Sequence, residues 1–229
     1  MPAVYVFDVN ETLLDLGGLD EAFRRAFGDP GVRELWFQQL IHGALITVAT
    51  GRYHDFASIG AAALEATARL RGVTLSDADR QAVAEGMRRL PPHPEVPGAL
   101  RRLAGAGLRL ATLTNSPHPV AAAQLGNAGL AALFEQVLSA DAVGRLKPAP
   151  EPYRMAAERL GVPVGEVWLV AAHGWDVAGA LAAGCHAVFV ARPGRLPDPL
   201  APPPDLVVGD LDQLADRLLE PPGRHAAGA

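Results

Sequence analysis

Asp8, in Phe7-Asp8-Val9-Asn10-Glu11-Thr12, is a carboxylate followed by a turn and a hydroxyl. Held free at the end of a rigid element, such a carboxylate can attack an electrophile covalently and divide one hard displacement into two easier steps. It could equally cap its own loop. Thr114 and Asn115, in Leu113-Thr114-Asn115-Ser116, offer a hydroxyl and an amide that could hold an oxyanion or a departing anion, and they are also good turn residues. Lys147 lies in the proline-stiffened stretch Leu146-Lys147-Pro148-Ala149-Pro150 and could sit beside one or two carboxylates, although most lone lysines are solvated. In His173-Gly174-Trp175-Asp176 the carboxylate could orient Lys147, act as a base toward water or cap a following helix, while Trp175 could wall off solvent.

These residues fall where strands are expected to end. Ala3 to Phe7 is a short apolar run rich in β-formers, which suits a buried parallel strand ending at Asp8. Leu108 to Leu113, Val167 to Ala171 and Ala187 to Val190 read alike, with Leu206 to Val208 a weaker fifth. Helical periodicity fills Pro119 to Ala131, Pro150 to Leu160 and Val177 to Ala183. This alternation predicts an α/β, Rossmann-like parallel sheet with right-handed crossovers, which binds ligands at the carboxyl ends of its strands. From Leu14 to Leu90 the pattern is helical throughout: Asp20 to Phe27, Val32 to Thr50, Phe56 to Arg71 and Ser76 to Leu90, the last with Ser76 as N-cap and Asp79 three positions on. An all-helical subdomain inserted after the first strand would stand over the strand tips, and the dense prolines from Pro91 to Pro97 bring the chain back. The expected division is a core over 1–13 and 92–220, a helical cap over 14–91 and a frayed tail over 221–229.

With 229 residues, 49% of them hydrophobic, the chain can bury a good core and still carry a subdomain. A net charge of -5 without a basic run offers no electrostatic footprint for nucleic acid or an anionic membrane, so a small molecule is the expected partner. No signal-peptide pattern and no uncharged membrane-length segment is present, which predicts a cytoplasmic protein. The lone Cys185 reads as a small buried hydrophobe.

Taken in order, the strand-tip Asp, the Thr after a strand, the Lys before a helix and the acidic loop resemble the motifs of the haloacid dehalogenase (HAD) superfamily over nearly the whole chain. The chain is most similar to the type II 2-haloacid dehalogenases, through Leu113-Thr114-Asn115, Lys147-Pro148 with Tyr153, Trp175-Asp176, and Asn127-Ala128-Gly129-Leu130 with Val137-Leu138-Ser139. The resemblance implies a HAD fold and a metal-independent, cofactor-free displacement on a 2-haloacid. Asp8 would attack C2 with inversion and form an aspartyl ester that water then cleaves. Lys147 would position Asp8, Thr12 and Thr114 would hold the substrate carboxylate, Asp176 with His173 would activate water, and Asn115 and Trp175 would face the halide. Asn10, Tyr153 and Phe37 join the expected substrate-binding group. Dimers are common among these relatives, so a homodimer is open.

The related phosphatases differ at two positions. They use a second Asp in the first motif and a further acidic residue in the fourth, where this chain has Asn10 and Ala172. An amide cannot give and retrieve a catalytic proton, and Ala172 offers a hard cation no oxygen. A magnesium-dependent phosphatase or phosphonate hydrolase is therefore the lesser alternative, and a non-catalytic binding relative another. The dehalogenases themselves carry Tyr-Gly where this chain has Asn10-Glu11, an Arg after the cap Trp where it has Phe37, and commonly Asn where it has His173. Arg33 and Arg52 are the other cap arginines that could reach the site, with Gln38, Gln39 and His42 weaker donors.

Overall fold

The computed structural model describes residues 3–220, and the expected tail over 221–229 lies outside the described residues. Strand β1 (Val4–Phe7) leads into a helical stretch comprising α1 (Asp20–Phe27), α2 (Val32–Thr50), α3 (Phe56–Arg71) and α4 (Asp77–Met87). Then follow α5 (Val96–Gly105), β2 (Arg109–Thr114), α6 (His118–Asn127), β3 (Gln136–Ser139), α7 (Pro150–Leu160), β4 (Val167–Ala171), α8 (Gly174–Ala183), β5 (His186–Val190), β6 (Leu206–Val208) and α9 (Leu211–Leu219). The six strands form one parallel sheet in the order β3-β2-β1-β4-β5-β6.

The chain winds outward from β1 to β3, then returns to the other side of β1 and continues to β6. The tips of β1 and β4 therefore part at the point where the winding reverses, and a crevice opens there. Each face of the sheet has its own buried cluster. One holds Phe7, Val170 and Val188 with α5, α9 and the helices α1 to α4. The other holds Val6, Leu169 and Phe189 with α7 and α8. The two connections to the helical stretch run side by side: His93 N–H donates to the Leu13 carbonyl at 3.0 Å and Asp15 N–H to the Pro91 carbonyl at 2.8 Å.

The expected parallel α/β sheet with helices inserted after β1 is what the chain forms. Helices α1, α2, α3 and α7 have their expected limits, and α4 opens with a capping box between Ser76 and Asp79. Three elements were not legible. Strand β3 has only Val137 and Leu138 as an apolar signal behind Glu135-Gln136, because it is an edge strand with half-exposed positions. Helix α5 begins inside the proline segment because Pro97 falls in its first turn, where no N–H is needed. Helix α9 starts from an Asp210 side chain that accepts from Gln213 N–H at 2.8 Å. Helix α8 starts at Gly174, before the expected Val177, so Asp176 sits inside its first turn and is not its cap.

Candidate active site

Asp8 follows β1 directly and lies at the crevice with a pair of partners. Its Oδ1 accepts from Lys147 Nζ at 2.9 Å, and its Oδ2 accepts from the Thr12 hydroxyl at 2.8 Å. Lys147 Nζ also donates to Asp176 Oδ2 at 2.6 Å and to the Leu113 carbonyl at 2.8 Å, so all three ammonium protons are engaged. Two more contacts fix the lysine. The Asn115 amide accepts from Lys147 N–H at 2.8 Å and donates to its carbonyl at 3.2 Å, while Tyr153 donates to Asp176 Oδ1 at 2.6 Å. Gly179 makes that last contact sterically feasible, since a Cβ there would lie 2.7 Å from the Tyr153 hydroxyl oxygen.

Burial alone would raise the Asp8 carboxyl, but the Lys147 charge and then His173 outweigh it and hold Asp8 well below the usual carboxylate range. Asp8 is therefore held as the carboxylate at neutral pH, the form that could act as a nucleophile. Burial pushes Lys147 down, and the carboxylates of Asp176 and Asp8 bring it back above its ordinary value. Asp176 is raised, chiefly by burial, with the Asp8 charge adding to it against the pull of Lys147.

On the side facing α2, His173 Nδ1 lies 3.4 Å from Asp8 Oδ2 and its Nε2 3.4 Å from Glu11 Oε2. Neither ring nitrogen makes a hydrogen bond, so these are ion-pair separations. Burial disfavours the imidazolium, yet the two carboxylates win and push His173 up to about 9. The ring is flanked by Phe37 at 5.7 Å and Trp175 at 5.3 Å between centroids.

Asp8, Asn10, Phe37, Thr114, Asn115, His173 and Trp175 share one chamber with Ile41 and Phe56. About 10 Å³ of it is open, room for a single water. Four of the expected residues stand behind the chamber wall. Lys147 and Asp176 support Asp8. Thr12 was expected to hold a substrate carboxylate, but its hydroxyl donates to Asp8 and accepts from Ala172 N–H at 3.0 Å, which leaves it no proton for a ligand. Tyr153, expected to touch substrate, instead orients Asp176 from a fully enclosed position. The Thr114 hydroxyl accepts from Ser116 N–H at 3.1 Å and keeps its own proton to give.

Asn10 is fixed from two sides, donating to Ser116 Oγ at 3.2 Å and accepting from Gln124 at 2.9 Å. Neither cap arginine reaches the chamber: Arg33 pairs with Asp20 at 2.7 Å and Arg52 is exposed. The guanidinium near the site belongs to Arg195, after β5, which pairs with Glu11 and Glu34 and lies 6.0 Å from the Phe37 ring. Ile41 was discoverable as the residue one helical turn beyond Phe37. Phe56 and Arg195 carried no local signal.

Residues 2–184 match the model of the haloacid dehalogenase-like hydrolases. Haloacetate dehalogenase H-2 of Moraxella sp. strain B is 30% identical over 210 residues, covering 91% of this chain and 94% of its own. The (S)-2-haloacid dehalogenase of Xanthobacter autotrophicus is 33% identical over 82% of this chain and 74% of its own. The structure of L-2-haloacid dehalogenase from X. autotrophicus superposes with a TM-score of 0.89 at 30% identity, covering 95% of this chain and 98% of that one. A second structure of that protein, with chloropropionic acid covalently bound, superposes at 0.88. With its motifs gathered at the crevice between β1 and β4 and its likeness running the length of these relatives, the chain belongs to the haloacid dehalogenase-like hydrolases, in the branch of the 2-haloacid dehalogenases.

Proposed function

We propose that this hydrolase converts short 2-haloalkanoic acids to 2-hydroxy acids through an ester on Asp8. The observation that carries the reading is Asp8 on the chamber wall, locked by Lys147 and Thr12, with Asn10 where a phosphatase needs a second acid. A carbon–halogen bond breaks to a stable anion, so no acid is required for the leaving group and no cation for the attacked carbon.

The Asp8 carboxylate attacks C2 in line, halide departs, and configuration inverts. The Thr114 hydroxyl, still free to donate, takes the substrate carboxylate. The halide faces Trp175, the Phe37 ring edge and the second proton of the Asn115 amide. Water then attacks the Asp8 carbonyl carbon of the ester and releases the 2-hydroxy acid. Asp176 is spent on Lys147 and Tyr153, so His173, the remaining titratable group on the chamber, serves as the base. The covalent chloropropionic acid adduct of the X. autotrophicus protein supports an ester route on a short acid.

Halide release from chloro-, bromo- and fluoroacetate and both 2-chloropropionate enantiomers tests the reading, with EDTA present and Asp8→Asn as control. Release that survives EDTA and vanishes in the control is expected. Magnesium-dependent phosphate release with no halide would overturn it. In oxygen-18 water under single turnover, label should enter Asp8 and leave the product unlabelled.

A further inference from the structure

The chamber's cap-facing wall holds a charged chain that the dehalogenase reading leaves without a task. Glu11, the one non-glycine residue with positive φ among the described residues, at 63°, turns its carboxylate back toward the site. An L side chain adopts that conformation only at a cost, so something must hold it there. The backbone is held by Glu11 N–H donating to the Leu14 carbonyl at 2.7 Å, and the carboxylate by the Arg195 guanidinium, which also pairs with Glu34 on α2 at 3.2 Å. His173 is thus held between two carboxylates, Asp8 on its Nδ1 side and Glu11 on its Nε2 side, each at 3.4 Å. Phe37 and Trp175 supply no charge. The other charges nearby are the Lys147–Asp176 pair behind Asp8, Arg195 with Glu34 behind Glu11, and Arg192, which donates to the Thr12 carbonyl at 2.9 Å and pairs with Glu95 at 2.6 Å.

We propose that Glu11 is the positioning residue of a charge switch: it retains the His173 Nε2 proton, so that Nδ1 becomes a free base once Asp8 has been esterified. The inference rests on the dehalogenase reading and adds a residue to it. With Asp8 ionised, His173 is a cation and cannot accept a proton, which keeps it idle during displacement. Alkylation removes the Asp8 charge and leaves Glu11 alone against burial, which disfavours the imidazolium.

The proton count closes. Displacement forms the Asp8 Oδ–C2 bond and breaks C2–halogen. His173 releases its Nδ1 proton to solvent, which is the proton of the net reaction. Water then adds to the Asp8 carbonyl carbon and gives one proton to Nδ1. The tetrahedral intermediate breaks its bond to the substrate oxygen, its remaining hydroxyl proton goes to the departing alkoxide, and Asp8 and His173 are ionised again. Glu11 acts as the carboxylate of a Ser-His-Asp triad does, fixing the tautomer without itself taking the proton.

The test has two arms. In protein with nitrogen-15-labelled histidine, NMR at neutral pH should show His173 as an imidazolium in the wild type. In Asp8→Asn, whose neutral amide stands in for the ester, it should be neutral with the proton on Nε2. In single turnover, Glu11→Gln should slow ester hydrolysis about a hundredfold more than halide release, so that aspartyl ester accumulates and is visible by mass spectrometry. Titration of His173 unchanged by Asp8→Asn would overturn the switch, as would Glu11→Gln slowing both steps equally. The first arm needs no turnover, so a wild type that releases no halide would end the dehalogenase reading while the titration still decides the switch.

Discussion

The floor of the site and its cap-facing wall are built on opposite terms. On the floor, Lys147 has three partners between 2.6 and 2.9 Å, Asp8 has two and Asp176 is held by both Lys147 and Tyr153. On the wall, His173 hangs between carboxylates at 3.4 Å with no hydrogen bond. A buried polar group with every partner in place has one geometry, which is what an in-line attack requires of its nucleophile. A buried group with loose partners responds to a change of charge beside it, which is what a base needed in only one of two steps requires. The floor comes from the β1 tip, the segment before α7 and the starts of α7 and α8, while the wall depends on α2, through Phe37 and the Glu34 contact to Arg195.

The sharpest way to break this contrast is at Lys147. Lys147→Met would leave Asp8 and Asp176 buried without their shared cation, and should abolish turnover while destabilising the protein by roughly 3–5 kcal/mol in urea unfolding. Adding Asp176→Asn should recover part of the stability and none of the activity. An unchanged midpoint would mean that the floor is not the rigid half.

The wall makes a pH-dependent prediction. Its net shift raises His173 from 6.5 to about 9 on folding, burial lowering it and the two carboxylates more than restoring it. The stabilisation is then fully present below about pH 6.5 and lost as pH rises through about 9, on the order of 3 kcal/mol in all. The melting-temperature gap between the wild type and His173→Asn should narrow across that window. A constant gap would remove the charge from the wall.

A smaller effect is expected at Tyr153→Phe, which removes one hydrogen bond to Asp176 and should cost about 1.5–3 kcal/mol, with a matching loss in kcat and little change in KM. The smallest lies far from both regions. Ser76→Ala deletes the capping box of α4 and should cost about 1 kcal/mol with kcat/KM unchanged. Loss of activity there would mean that the cap's outer face communicates with the chamber.

Much of this was legible along the chain, and the pattern of success has a cause. Asp8 and Thr114 stand at strand ends, which short apolar runs announce, while Lys147 was marked by its flanking prolines and Asp176 by the loop after the strand Val167–Ala171, so the floor could be found residue by residue. Thr12 and Tyr153 were found but given to substrate, because a motif supplies a neighbourhood and not the direction of a hydroxyl. Glu11 was visible only as a departure from the family's glycine, with nothing in its local sequence to name a partner.

The sequence by itself determined the fold, the candidate nucleophile and the absence of a phosphatase's second acid, because periodicity and residue chemistry are local properties. Tertiary structure alone decided which groups share a charge. Glu11 and Arg195 are far apart in the chain, and Arg195 meets both Glu11 and Glu34 only because the loop after β5 passes beneath α2. Coulomb energy depends on separation in space and on exclusion of water, and neither is written in the spacing of residues along a chain.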